Sequence, residues 1–267
     1  MDKIQILKKC FSFMDLTTLH TEDTPGDVKK LVGKVIALQK EYPAYPLPAS
    51  ICVYPNLANV VRENRPCEEL HVTAVSSCFP TAQSFIEVKE LETRMAVENG
   101  ADEIDIVLAV NRFMAGDYAG AQDEIRCLRA AVDEAGAKCG RRIVLKVILE
   151  TGLLKTPELI RKASMLAMEA GADFIKTSTG KVAVNATPEA ARVMCEAIRD
   201  YYGETGRKVG FKAAGGISTA EDALVYYNIG LSVLGEEWLN KDYFRFGVSR
   251  VGNSLMSAIE GREVKFF

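Results

Sequence analysis

Four short apolar runs in this sequence each carry a charged residue: Asp105 in IDIV at 104–107, Lys146 between Leu145 and Val147, Lys176 between Ile175 and Thr177, and Lys212 after Phe211. A charge inside an apolar strand costs several kcal/mol unless a partner or water meets it. Singly, each is better read as pointing to solvent from a half-exposed antiparallel sheet, or as one half of a structural ion pair. Together, on consecutive strands, they point to a shared polar site. Adjacent strands run about 4.8 Å apart, so inward-facing Lys176 and Lys212 on neighbouring strands would come within reach of each other. Two ammonium groups at that separation in a desolvated interior disfavour double protonation, leaving one amine neutral near pH 7. A neutral amine attacks an aldehyde to form a carbinolamine and then an imine, and Asp105 can relay protons through water. Metal-assisted enolate chemistry lacks ligands here, because His20 and His71 are the only histidines and neither sits in a ligand spacing. Both histidines are read as structural.

The elements that must hold these side chains follow from a recurrent pattern. A short β-branched run, a loop and a longer helical stretch closed by glycine repeat down most of the chain, which argues for parallel strands joined by helices. Strands are expected at 51–53, 71–76, 103–110, 143–149, 174–178, 209–213, 232–234 and 243–246, eight being the number that closes a barrel. Helices are expected at 82–98, 117–134, 157–170, 188–201 and 219–227, two of them opened by Thr-Pro-Glu at Thr156 and Thr187. Two further helices, near 3–13 and 26–41, are expected to precede the first strand and cover the barrel's lower end. The words NGAD at 99–102 and AGAD at 170–173 each end a helix and open a strand. Five residues past each glycine stand Asp105 and Lys176, which places the two charges at equivalent heights. The fold class expected is α/β, a (β/α)8 barrel with additional N-terminal helices, as one domain over 1–267.

With 48% hydrophobic and 26% charged residues the 267-residue chain can bury one large core. A net charge of −3 supplies no general field for nucleic acid or an anionic membrane. No apolar run approaches membrane-spanning length, and the N-terminus is too charged for a secretory signal. Seven cysteines without a C-x-x-C pair suit reduced thiols. The expected compartment is therefore the cytoplasm, with small-molecule substrates, no nucleic acid, no membrane and no cofactor; a homodimer is left open.

The run ADFIKTSTGK at 172–181 resembles the imine-forming strand of the deoxyribose-phosphate aldolase family, which are class I, Schiff-base aldolases. The likeness extends through MDLTTL at 14–19, ICVYP at 51–55, DEID at 102–105, LKVILETG at 145–152, VNAT at 184–187 and GFKAAGGI at 210–217. This resemblance implies reversible cleavage of 2-deoxy-D-ribose 5-phosphate to acetaldehyde and D-glyceraldehyde 3-phosphate. It implies Lys176 as the imine-forming amine, Lys212 as the group that depresses its pKa, and Asp105 with a water as proton shuttle. For the phosphate, Gly180, Lys181, Gly215, Gly216 and Ser249 are the candidates, since barrels often hold phosphate on loops after late strands. Turn-making alone would also explain the glycines. Asp15, Thr17, Thr179 and Lys146 match positions that line or support the family's site, although a capping Asp, a packing Thr and a lysine paired with Glu150 would read the same way. Cys52 either faces the pocket or is a small buried side chain.

Several residues depart from the family pattern near the phosphate end. Ala213 and Ser218 stand where the family carries proline and arginine, so Arg250, in FGVSR, is the candidate for the missing cation. The loop 77–82 lacks the family's glycines and is expected to follow a different path. Some family members end in a mobile tyrosine that assists proton transfer, whereas the segment 264–267 ends in Phe266 and Phe267, so either water does that work, or the two rings shield the pocket, or turnover is slower. Two other functions fit the same residues: an imine-forming aldolase for another sugar phosphate or a keto acid, and a sugar-phosphate-binding barrel without turnover.

Overall fold

Charged and apolar residues alternate through the strands, and the fold gives each kind its own face. In the computed structural model, which describes residues 2–267, eight parallel strands close into a barrel in sequence order. They are β1 (Met14–Thr17), β2 (Ser50–Val53), β3 (His71–Val75), β4 (Glu103–Val107), β5 (Val144–Ile148), β6 (Phe174–Lys176), β7 (Gly210–Ala214) and β8 (Phe244–Val248). The helices are α1 (Lys3–Ser12), α2 (Pro25–Glu41), α3 (Ala58–Asn64), α4 (Ile86–Glu98), α5 (Val110–Met114), α6 (Tyr118–Lys138), α7 (Thr151–Leu154), α8 (Pro157–Glu169), α9 (Pro188–Thr205), α10 (Ala220–Leu234) and α11 (Val251–Glu260). Among the described residues no helix is long and apolar enough to cross a membrane.

Thr156 and Thr187 cap α8 and α9 as their sequence words predict, each side chain accepting from the N–H three residues on, with proline in the first turn. Outward-facing strand residues such as Leu16, Ile51, Val72, Ile104, Leu145, Val147, Ile175 and Phe211 are fully buried beneath these helices. Their burial leaves the barrel interior to the residues between them.

Three expectations are corrected. The run 232–234 is no strand but the last turn of α10, where Gly230 and Leu234 are buried while Leu231 is exposed, the four-residue spacing of a helix face. The eighth strand is instead β1, which directly follows α1 and pairs with both β2 and β8. Strand 51–53 is thus second and 103–107 fourth, and α2 is the crossover from β1 to β2 rather than a cover ahead of the first strand. Of the two early helices only α1 precedes the barrel strands, packing against α10 and α11. All seven cysteines are unpaired.

Candidate active site

Every strand contributes a polar side chain to the interior of this barrel. Where such cores are ordinarily layers of branched aliphatic residues, here Asp15, Ser50, Thr73, Glu103, Asp105, Lys146, Lys176, Lys212 and Arg245 are buried. All except Lys176 and Arg245 are wholly inaccessible; Lys176, highest in the layer, is 4% exposed. The register pairs Lys176 directly with Lys212 across β6 and β7, as the neighbouring-strand argument requires. The glycine at 247 makes the room: a Cβ there would come within 3.1 Å of the Lys212 side chain and 2.8 Å of Ala214.

Asp105 is the hub. Its Oδ1 accepts from Lys146 at 2.9 Å, and its Oδ2 accepts from both Lys176 at 2.8 Å and Lys212 at 2.9 Å. Lys212 reaches a second carboxylate, Asp15, at 2.5 Å, and Lys146 a second, Glu103, at 2.5 Å. Arg245 bridges Asp15 at 2.5 Å and Glu103 at 2.7 Å. Among the described residues Lys176 has Asp105 alone. The layer therefore holds four basic groups against three carboxylates, and it approaches neutrality when one base gives up its proton.

Partner number decides which one. Burial drives the Lys176 ammonium toward its neutral form and Lys212 adds repulsion; Asp105 opposes both but the net displacement is downward. Lys212 and Lys146 suffer the same burial, yet two carboxylates each outweigh it and hold both above the ordinary lysine value. Burial alone would raise Asp105, but Lys146, Lys176 and Lys212 together hold it well below the usual carboxylate range. Glu103 and Asp15 are likewise held low, chiefly by Arg245 with Lys146 and by Lys212 with Arg245.

Above this layer, at the carboxyl ends of the strands, a cleft of about 260 Å³ opens over Lys176. Thr17 lines it from the end of β1 and His20 from the loop after that strand, Thr179, Gly180 and Lys181 from the loop after β6, Gly215 and Gly216 from that after β7, and Ser249 and Arg250 from that after β8. Gly180, Gly215 and Gly216 all have φ near +80°, a backbone that side chains resist. Lys181 donates to the Leu19 carbonyl at 2.6 Å, crossing from one side of the mouth to the other. Arg250 stands on the cleft while Ser218 is turned to Asp222.

Asp15, Cys52 and Lys146, which the sequence nominated for substrate contact, lie instead below the cleft with no exposed surface. Lys146 pairs with Glu103 and Asp105, not with Glu150; Glu150, itself at φ +58°, accepts from the Thr179 backbone and hydroxyl and so fixes the loop after β6. Sequence reasoning missed Glu103, Arg245, Glu150 and the Ser50–Thr73 pair, although Arg245 between Phe244 and Phe246 carries the same signature as Lys146. In the loop 77–82 Ser77, Cys78 and Ala82 all lie at φ between +55° and +62°, the left-handed region that favours glycine. Phe266 and Phe267 pack on Tyr42 and Phe11, and neither lines the cleft.

The sequence pattern of the DeoC/LacD family aldolases matches residues 10–239. Among solved structures, a Coccidioides immitis protein provisionally named a deoxyribose-phosphate aldolase is 28% identical, with a TM-score of 0.74 over 92% of this chain and 85% of that one. A Toxoplasma gondii protein, so named with the same reserve, is 24% identical with a TM-score of 0.79, covering 97% and 98% of the two chains. The tetrameric deoxyribose phosphate aldolase of Aeropyrum pernix is 23% identical with a TM-score of 0.70, covering 94% and 92%. The last two identities speak to the fold alone.

Proposed function

This chain belongs to the DeoC/LacD family of aldolases, and from that premise we propose that it reversibly cleaves 2-deoxy-D-ribose 5-phosphate into acetaldehyde and D-glyceraldehyde 3-phosphate through an imine at Lys176. One observation carries the reading. A single carboxylate oxygen is shared by two lysines in a dry barrel, and the lysine with fewer partners is the one beneath the cleft.

In this mechanism the neutral Lys176 amine adds to C1 of the open-chain sugar, and the carbinolamine loses water to give a protonated imine. A base, water held by the Asp105 hub, removes the proton of the C3 hydroxyl. The C2–C3 bonding pair moves to C2 and into the iminium, glyceraldehyde 3-phosphate departs, and an enamine remains on Lys176. Protonation at C2 and hydrolysis then release acetaldehyde and restore the amine. Asp105, ionised by three lysines, is a weak proton carrier by itself, so the protons travel through water; Lys212, held protonated, is a fixed positive charge beside the reacting amine. The phosphate is assigned to the backbone at Gly180, Gly215 and Gly216, with Lys181, Ser249 and Arg250 as its polar side chains.

Purified protein incubated with 2-deoxyribose 5-phosphate should release acetaldehyde in step with glyceraldehyde 3-phosphate. Inertness toward it, with turnover of a keto acid or ketose phosphate, would transfer the site to a different substrate.

A further inference from the structure

The ion layer continues downward to solvent. His71 opens β3, at the end of the barrel away from the cleft, and places Nδ1 2.7 Å from Glu103 Oε1 while 31% of its side chain remains exposed. Glu103 meets Lys146 at 2.5 Å, Lys146 meets Asp105 at 2.9 Å, and Asp105 meets Lys176 at 2.8 Å. Four consecutive contacts thus join an imidazole that bulk water reaches to the amine under the cleft. The groups between them are fully buried, so their mutual fields are screened far less than surface charges are.

Around this end of the barrel the charged groups are unequal in their hold on His71. Arg245 from β8, Lys146 from β5 and Asp15 from β1 touch one another or Glu103 but not the imidazole. Outside the strand, Asp102 is spent on Arg62, Arg65 and Arg141 and on the Val72 N–H. Lys241 is turned to the Glu69 carbonyl. Among the described residues only Glu103 bonds the ring, and Glu103 is the carboxylate shared by Lys146 and Arg245.

Taking Lys176 as the imine-forming amine, we propose that His71 is a positioning residue that adjusts the charge beneath that amine from the far end of the barrel. Protonated, His71 draws on the negative charge of Glu103 and adds to an interior where basic groups already outnumber acids. The added positive charge makes Lys176 release its proton at lower pH. Neutral, His71 no longer offsets that charge, which Lys146 and Arg245 then balance by themselves. Because histidine ordinarily changes charge between pH 5 and 8, the amine stays available further into acid than a fixed set of charges would allow.

The test is the pH dependence of reductive trapping at Lys176 by acetaldehyde and borohydride, read by peptide mass, in wild type, His71→Gln and His71→Arg. Gln keeps a donor without the charge, and Arg keeps the charge at every pH. The rising limb should lie at least about half a pH unit lower in the Arg variant than in the Gln variant. Limbs that coincide in all three proteins overturn the proposal while leaving the imine intact. No trapping at Lys176 at any pH sinks the imine assignment and this proposal with it. Should the His71 variants fail to fold, Lys176→Met offers the reverse reading, since coupling is reciprocal. Loss of a protonated Lys176 must move the His71 C2-proton titration upward, and a titration unmoved at a pH where Lys176 still carries its proton overturns the proposal.

Discussion

Replacing Lys212 by methionine, which preserves length and removes the charge, should move the reactivity of Lys176 by an amount that follows from the geometry. Both ammonium groups lie within 2.9 Å of Asp105 Oδ2, so the two nitrogens are at most about 6 Å apart. At an effective dielectric of about 20 the repulsion between unit charges at that distance is about 3 kcal/mol, or about 2 pH units of pKa depression. In the variant Asp105 also has one cation fewer to share, so its grip on Lys176 tightens in the same direction. Lys176 attacks only when neutral, and its reactivity rises with pH through its pKa. A higher pKa therefore shifts the whole rising limb to higher pH. Single-turnover borohydride trapping with acetaldehyde between pH 5 and 10 reads the limb directly, without dependence on later proton transfers. The expected displacement is about 2 units or more upward, with about 100-fold slower trapping or more on the acid side of both limbs. If the variant retains its circular dichroism spectrum and its limb coincides with that of wild type, charge coupling between the two lysines is refuted.

Further consequences are open to direct measurement. Arg250→Ser should raise KM for the phosphorylated sugar several-fold with little change for unphosphorylated deoxyribose; equal KM for the phosphorylated sugar in both proteins would remove Arg250 from the phosphate site. Glu103→Gln strips a carboxylate from Arg245 and Lys146 and should lower unfolding stability by about 3 kcal/mol or more in urea titrations; a loss below 1 kcal/mol would mean the ion layer is not tightly interlocked. Ser77 combines φ +62° with a buried hydroxyl that finds no partner among the described residues. Ser77→Gly relieves both and should stabilise by about 1 kcal/mol, and destabilisation in the same titration would contradict that account of the loop.

The sequence exposes the barrel most clearly where a charge interrupts an otherwise aliphatic strand. Lys146, Lys176, Lys212 and Asp105 stand out because their neighbours are apolar and their strands follow glycine-terminated helices. The same logic applied to Phe244-Arg245-Phe246 identifies β8 as another strand with an inward charge. Charge between apolar residues is the sign of an inward position in this protein, and Arg245 obeys it. Strand β1 is hidden for a related reason: Asp15 and Thr17 make half of its four residues polar, and it begins one residue after a helix with no turn signal between. Partnerships are a different matter. Spacing predicts that Lys176 and Lys212 are neighbours, but the sharing of Asp105 and the placement of Asp15, Cys52 and Lys146 below the cleft depend on barrel stagger. Stagger accumulates from pair to pair: Asp105 aligns with Lys146, whereas Lys146 aligns with Phe174, two residues short of Lys176. Linear spacing carries no record of that offset, and Glu103 escapes notice because it occupies the first position of its strand.

The account rests on Lys176 being the amine that gives up its proton, among three buried lysines joined through one aspartate. Incubation with acetaldehyde, reduction with borohydride and mass mapping of the digested protein will place the adduct. The geometry predicts one ethyl group on the peptide bearing Lys176, with Lys146 and Lys212 unmodified. An adduct on either of those residues or on Lys181, with Lys176 unreacted, would contradict it.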